Sequence, residues 1–139
     1  MFELKDKIAL VTGAGQGVGA DIAMRLARMG AYVVVNELHE ERAHETVKMI
    51  QWDGDKAVGV SFDVSDPDAV SDGVAKIVAS LGPIDILVNN AALPIGKGKT
   101  PFSEMDTKDC NQFVGVNIYG ALNCTKAVID NMAIGAGDA

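Results

Sequence analysis

The segment TGAGQGVG, residues 12 to 19, decides the fold of this chain. It follows the apolar run Ile8 to Val11 directly and precedes a segment with helical periodicity. A strand, a glycine-rich turn and a helix in this order bring the backbone close to the amino-terminal amides of the helix. Glycines leave out the Cβ atoms that would keep an anion away, and the helix dipole favours negative charge. The segment therefore predicts a turn that holds a nucleotide diphosphate.

Four apolar runs alternate with helical stretches along the rest of the chain. This alternation is typical of βαβ units, whose parallel strands are buried on both faces and rich in Val and Ile. The predicted strands are Lys7 to Thr12, Ala31 to Asn36, Ala57 to Phe62 and Ile84 to Asn89. The pattern indicates an α/β fold with one parallel sheet.

Three helices are expected between these strands and a helical region after them. The first places Val18, Ile22, Leu26 and Met29 on one stripe. The second runs from Glu40 to Gln51, with Trp52 expected to pack as a cover at its end. A third helix is introduced by the cap sequence Ser65-Asp66-Pro67-Asp68, and a helical region is expected from Ser103 to Met132. Residues 133–139 are expected to form a frayed tail.

Composition limits the possible classes of protein. With 139 residues and 48% hydrophobic content, the chain fits a single domain over residues 1–139. Its net charge of −7 argues against a nucleic-acid partner. A charged amino terminus and the absence of a long apolar run predict no membrane span and a cytoplasmic location. Two cysteines do not make a disulfide framework, so we expect reduced, buried thiols.

Two other groups of residues resemble ligand-binding motifs, but their spacing does not match those motifs. His39 and His44 are five residues apart, which turns them about 140° from each other on a helix, so we predict a solvated helix face and no metal site. The sequence Gly96-Lys97-Gly98-Lys99-Thr100 ends like a phosphate-binding P-loop. That motif needs glycine at position 93, where this chain has Leu93. We therefore interpret it as part of a mobile substrate-side loop.

Four motifs in order make the chain resemble the classical short-chain dehydrogenase/reductase family. They are Thr12-Gly13-x-x-x-Gly17-x-Gly19, Asp63-Val64, Asn89-Asn90-Ala91-Ala92 and Asn117. The resemblance implies a Rossmann-like, doubly wound sheet in the strand order 3-2-1-4, ending here before a fifth strand. It also implies a nicotinamide dinucleotide cofactor and the interconversion of an alcohol and a ketone.

The resemblance assigns cofactor contacts residue by residue. To the pyrophosphate and ribose it gives Gly13, Gln16, Gly17, Val18 and Gly19. Asp63 and the Val64 backbone go to the adenine edge, while Asn89 and Ala91 go to the nicotinamide ribose side. Asn90 is expected to brace the turn, and Asn89 has the equal alternative of capping a strand end.

Glu37 is the residue that bears on cofactor choice. It ends the second strand eighteen residues after Gly19, close to the spacing at which a carboxylate meets the adenosine ribose diol. A 2′-phosphate there would be repelled, which predicts NAD in preference to NADP. Uncharged Gln16, Asn36 and Leu38 agree with this prediction. The alternative is that Glu37 only supplies negative charge to the start of the second helix.

The catalytic residues that the resemblance implies are largely missing. A tyrosine followed four residues later by lysine occurs nowhere, and no serine follows Ser103. Asn117 matches the position of the asparagine in a water relay, although within this chain we interpret it as structural, bending its helix or bonding within it. The chain is thus expected to be the cofactor-binding part of a longer enzyme, whose small-molecule substrate remains unidentified.

Ending before a fifth strand would leave two surfaces exposed. Ile84 to Asn89 would form an open sheet edge, and Val114, Ile118, Leu122 and Ile129 would form a wet apolar helix face. These surfaces predict a homo-oligomer. The alternatives to an oxidoreductase half are a non-catalytic module for NAD binding or oligomerisation, and a structural fragment without nucleotide affinity.

Overall fold

Four short parallel strands form the centre of the computed structural model, which describes residues 3–95 and 100–132. They are β1 (Ile8–Val11), β2 (Tyr32–Asn36), β3 (Ala57–Val60) and β4 (Ile86–Val88). The order in the sheet is β3-β2-β1-β4, and every pair is parallel. The predicted α/β class and the strand order 3-2-1-4 are confirmed, with each strand shorter than its apolar run.

Helices cover both faces of this sheet. They are α1 (Gly17–Arg28), α2 (Glu40–Trp52), α3 (Pro67–Leu81), α4 (Thr107–Val114) and α5 (Gly120–Ile129). Alternate residues of a strand point to opposite faces. Val11 and Val33 accordingly pack in one core with α1 and α2, while Leu10 and Val34 pack in another with α3 and α5.

Helix α3 begins as its sequence predicts. The Asp66 side chain accepts hydrogen bonds from the amides of Asp68 and Ala69 at 3.0 and 3.2 Å, and Pro67 occupies the first turn. Gly82, with φ of 108°, ends the helix in a conformation that favours glycine.

The buried face of α1 differs from the predicted stripe. Val18 is 71% exposed and Met29 is exposed too, while Ile22 and Leu26 are only partly buried. The fully buried positions are those of small residues, namely Gly19, Ala20, Ala23 and Ala27. Small residues allow the helix to lie close to the sheet, so its longer apolar side chains pack at the flanks. The prediction for the two ends of the stripe was wrong.

Trp52 does not act as a cover. Its side chain is 91% exposed at the end of α2, beside Met49 and Asp53. The core that α2 contributes comes instead from Ala43, Val47 and Ile50, one turn apart on its inner face. The aromatic residue falls outside that stripe.

The predicted helical region after Ser103 is divided. A short 3-10 turn (Phe102–Glu104) precedes α4, and a π-helical turn (Gly115–Tyr119) joins α4 to α5. Asp106 caps α4 through the Asp109 amide at 2.7 Å. Residues 96–99 of the predicted substrate-side loop and the tail 133–139 lie outside the described residues.

The last helix exposes an apolar stripe, as predicted. Ile118, Leu122 and Ile129 are each more than half exposed, whereas Val114 is half-buried. Strand β4 is at the edge of the four-stranded sheet and pairs with β1. Within the described residues, no strand pairs with the other edge of β4.

The two cysteines are free, and they differ in depth. Cys124 is fully buried on α5, and burial raises the pKa of its thiol to about 11. Cys110 is half-buried. The prediction of a buried thiol therefore holds for Cys124 alone.

Candidate functional site

A cleft of about 380 Å³ lies where the carboxyl ends of all four strands meet. Its walls come from the four segments that follow the strands, at residues 13–19, 36–39, 62–65 and 90–93. Gln112 and Val116 add a wall from the last helical region. Ligands of open α/β sheets bind at this edge, where crossovers leave the sheet toward opposite faces.

The cleft brings together nine of the ten residues predicted to contact a cofactor. These are Gly13, Gln16, Gly17, Val18, Gly19, Glu37, Asp63, Val64 and Ala91. Asn89 is not part of the lining. Its Nδ2 atom donates instead to Oγ1 of Thr125 on α5, at 3.2 Å.

The three motif glycines have different physical reasons to be glycine. Gly13 has φ of 62°, and a Cβ there would lie 2.8 Å from the Cα atom of Ala91. At Gly19 a Cβ would overlap the Gly13 carbonyl oxygen and the Asn90 amide. Gly17 has φ of 57° and nothing within 4 Å of its Cβ position. The backbone at Gly17 therefore faces open space in the cleft.

Helix α1 presents its first backbone amides to this space without a side-chain cap. Its N-cap, Gln16, makes no side-chain capping bond, and its first turn contains no acidic residue. By contrast, α3 and α4 are capped by Asp66 and Asp106. The first amides of α1 thus have no side chain to bond to and carry the positive end of the helix dipole. Together with the bare backbone at Gly17, they suit an anion such as a pyrophosphate.

Thr12 and Asn90 hold the glycine turn against the end of β4. The Thr12 hydroxyl accepts from the amides of Asn90 and Ala91, each at 3.1 Å. In return, Nδ2 of Asn90 donates to the carbonyl oxygens of Thr12 and Gly13, also at 3.1 Å. The predicted bracing role of Asn90 is confirmed by these bonds.

Glu37 is buried, with 7% of its surface exposed, yet its side chain lines the cleft. One carboxylate oxygen, Oε2, accepts from the Gly15 amide at 3.2 Å. The other, Oε1, accepts from the amides of Leu38 and His39 at 3.1 and 3.5 Å, just before α2. The carboxylate is therefore fixed between the glycine turn and the approach to α2.

The segment after β3 is fixed from three directions. Asp63 accepts from the amide and the hydroxyl of Ser65 at 2.9 and 2.7 Å, which closes a tight turn. Asn36 donates to the carbonyl oxygens of Val60 and Phe62, each at 3.2 Å. Nδ2 of Asn123 on α5 donates to the Val64 carbonyl oxygen at 2.9 Å.

Asn117 lies in the π-helical turn and bonds to the loop after β4. Its Oδ1 atom accepts from the Leu93 amide at 2.7 Å, and its Nδ2 atom donates to the Leu93 carbonyl oxygen at 2.9 Å. The side chain thus has a structural use. It joins two parts of the chain, whereas we had expected it to bond within its own helix.

Several cleft residues were not predicted from the sequence. Arg42 and His39 come from the start of α2, and Phe62 precedes the Asp63 turn. The sequence could have indicated Arg42, because it lies in the first turn of the helix after Glu37. That turn begins at the same edge of the sheet. The remaining additions are Asn36, Leu38, Ser65, Asn90, Ala92, Leu93, Gln112 and Val116.

The described residues also bear on metal binding and on membrane insertion. Within residues 3–95 and 100–132, no group of three or more His, Cys, Asp or Glu side chains could hold a metal ion. His39 lines the cleft, whereas His44 faces a separate cavity between α2 and β3. No helix in the described part of the chain is long and apolar enough to cross a membrane.

Known proteins resemble this chain in both sequence and fold. Gluconate 5-dehydrogenase of Gluconobacter oxydans (strain 621H) is 39% identical over 132 residues, covering 95% of this chain and 50% of that protein. The crystal structure of a gluconate 5-dehydrogenase from Burkholderia cenocepacia J2315 in complex with NADP and tartrate matches with a TM-score of 0.84 and 33% identity. It covers 93% of this chain and 49% of the other.

A second solved structure is similar to the chain to about the same degree. The 2-keto-3-deoxy-D-gluconate dehydrogenase of Streptococcus agalactiae has a TM-score of 0.82 and 37% identity, covering 94% of this chain and 48% of that one. The chain spans about half the length of the curated relatives it matches. The family model for short chain dehydrogenases matches residues 7–138, which is nearly the whole chain. The chain therefore belongs to the short-chain dehydrogenase family.

Proposed function

We propose that the chain binds a nicotinamide dinucleotide in this cleft and forms the cofactor-binding half of an oxidoreductase that interconverts an alcohol and a ketone. The observation that carries the proposal is the open space at Gly17 beside the uncapped start of α1. A bound dinucleotide would supply or accept the hydride. Family membership supports the class of reaction, and the length of the relatives supports the description as a half.

The residues of the cleft divide into three groups in this proposal. The turn from Gly13 to Gly19 would hold the pyrophosphate. Asp63 and the Val64 backbone would meet the adenine edge, since the bonds of Asn36 and Asn123 fix that segment. Ala91 would lie on the nicotinamide side, where the Thr12 hydroxyl holds its amide.

We further propose that NAD is preferred to NADP. Glu37 accepts from three backbone amides, so its carboxylate is held in place at the end of β2. A 2′-phosphate brought to it would meet like charge, worth up to about 4 kcal/mol per unit charge at 4 Å before screening. Arg42 also lines the cleft, and its guanidinium is the positive charge that a 2′-phosphate would contact there. The preference therefore depends on the Glu37 side chain staying in this position.

Glu37→Gln should reverse much of this preference. Removing the charge should raise the affinity for NADP about tenfold, which is a gain of about 1.4 kcal/mol, and lower the affinity for NAD slightly. Calorimetric titration of both dinucleotides measures the two affinities. Glu45→Gln is the matched control, because it removes the same charge from an exposed position on α2. An unchanged NAD to NADP ratio in Glu37→Gln would show that Glu37 does not select the cofactor.

Asn117 would take the relay position of the reaction in the longer enzyme. Its side chain already bonds twice to Leu93, which lines the cleft. In this proposal the Asn117 side chain fixes the loop beside the nicotinamide. The π-helical turn that contains Asn117 would also take part in the proton relay. The substrate would be a small alcohol or ketone.

A second candidate function is self-association through the last helix. Ile118, Leu122 and Ile129 expose more than half of their surfaces on one region of α5 and the preceding turn. Burying such side chains against a second copy is worth about 1.5 to 3 kcal/mol each. Leu122→Asp should therefore raise the dissociation constant of the assembly more than tenfold in sedimentation equilibrium. A mass that stays monomeric at all concentrations in the unchanged protein would contradict this candidate.

A further inference from the structure

Gly15 is a glycine without a conformational reason to be one. It lies between Gly13 and Gly17, at a position that the motif leaves open. Unlike those two residues, it does not have a positive φ. Its backbone therefore does not lie in the left-handed region that favours glycine. Gly15 is also buried and does not line the cleft, so a ligand need not approach it.

The reason for glycine lies in two neighbouring side chains. A Cβ at position 15 would lie 2.6 Å from Cγ of Glu37 and 2.7 Å from Cβ of Arg42. It would also lie 2.8 Å from Oε2 of Glu37, the oxygen that accepts from the Gly15 amide. Both of these side chains line the cleft. Gly15 therefore allows Glu37 and Arg42 to approach the glycine turn from its outer side.

Of the two neighbours, Glu37 is the one that would move. The Cβ atom of Arg42 is bonded directly to the backbone of α2, where the Arg42 amide donates to the His39 carbonyl oxygen at 3.1 Å. Moving it requires moving the helix. Glu37 can instead rotate about its side-chain bonds. A methyl group at position 15 would thus displace the carboxylate and break its bond to the Gly15 amide.

We propose that Gly15 is a positioning residue for cofactor selection, which leaves room for the Glu37 carboxylate and holds it with its amide. The inference rests on the proposed function, since it assigns to Gly15 the geometry through which Glu37 would select NAD. Gly15 itself touches no cofactor in this proposal. Its effect on binding passes through Glu37.

The test is a double-mutant cycle with Gly15→Ala and Glu37→Ala, read out by calorimetric titration with NAD and NADP. In Gly15→Ala the ratio of NAD affinity to NADP affinity should fall about tenfold, because the carboxylate leaves its position. In the Glu37→Ala background the same glycine change should leave the ratio unaltered, because no carboxylate remains to be displaced. Gly59→Ala is the control, since a Cβ there meets Ala43 at an ordinary 3.5 Å.

The outcomes distinguish a failure of this inference from a failure of the proposed function on which it rests. If the unchanged protein prefers NAD and Gly15→Ala keeps that preference, the role of Gly15 is wrong and the proposed function stands. If the change in the affinity ratio of the double variant is the product of the two separate changes, the residues act independently, and this would also contradict the role of Gly15. If neither dinucleotide binds the unchanged protein, the proposed function fails, and the inference fails with it.

A structural readout covers the case in which Gly15→Ala does not fold. Glu37→Ala removes the Glu37 atoms that the new methyl group would meet, while the close approach to Cβ of Arg42 remains. The double variant should therefore recover part of the thermal unfolding temperature that Gly15→Ala loses. A double variant that is no more stable than Gly15→Ala would contradict an action of Gly15 through Glu37.

Discussion

Asn36→Asp should lower the free energy of unfolding by about 4 kcal/mol at pH 7. Asn36 is only 1% exposed, and its Nδ2 atom donates to two carbonyl oxygens, of Val60 and Phe62. A carboxylate of the same shape has no proton to donate and would face both oxygens. The folded protein must then take up a proton. This costs about 1.4 kcal/mol for each of the roughly three pH units that separate an ordinary aspartate pKa from neutrality.

Urea unfolding followed by circular dichroism measures this loss, since the exposed Trp52 is a poor fluorescence reporter. Asn111→Asp is the matched control, because it adds the same charge at an exposed position on α4. The difference between the two variants should shrink by about 1.4 kcal/mol per pH unit below pH 7, as protonation becomes cheaper. Equal stabilities at pH 7 would mean that the Asn36 bonds do not hold β2 to the segment after β3.

Gly19→Ala should reduce the affinity for NAD by about a hundredfold. The added methyl group would overlap the Gly13 carbonyl oxygen and the Asn90 amide, which are bonded to each other at 3.1 Å. The turn would have to open and α1 would have to shift, an overpacking cost of about 1 to 3 kcal/mol. If binding requires the original turn, the upper end of this cost corresponds to the hundredfold loss.

The affinity is measured by calorimetric titration, and thermal unfolding is recorded in parallel. Gly59→Ala again serves as control, because it adds the same methyl group in β3, away from the cleft. We expect Gly59→Ala to bind NAD like the unchanged protein. A Gly19→Ala variant with unchanged affinity would show that the glycine turn does not hold the cofactor.

The sheet and the position of the site could be predicted because both depend on local patterns. Each apolar run was bounded by turn residues, so β1 to β4 were found, although six of their eight ends were placed one or two residues too far out. Parallel strands bring their carboxyl ends to one edge. Residues such as Gly17 and Asp63, far apart in sequence, could therefore be placed together before the structure was known.

What could not be predicted depends on close packing between elements. The stripe of α1 was placed on its larger apolar residues, yet the helix approaches the sheet through Ala23 and Ala27, and Val18 is exposed beside the cleft. The roles of Asn36 and Asn123 were missed for a related reason. An amide side chain has no periodicity that indicates its partner, and both partners are backbone atoms distant in sequence.

Neutral amide side chains make four of the cross-connections around the cleft in the part of the chain that the structure describes. Asn36, Asn90, Asn117 and Asn123 each join their own segment to the backbone of another. Dissolved salt screens interactions between charges and has little effect on hydrogen bonds between neutral groups. Ionic strength would therefore act on the attraction of a charged ligand to the site, while these four connections persist.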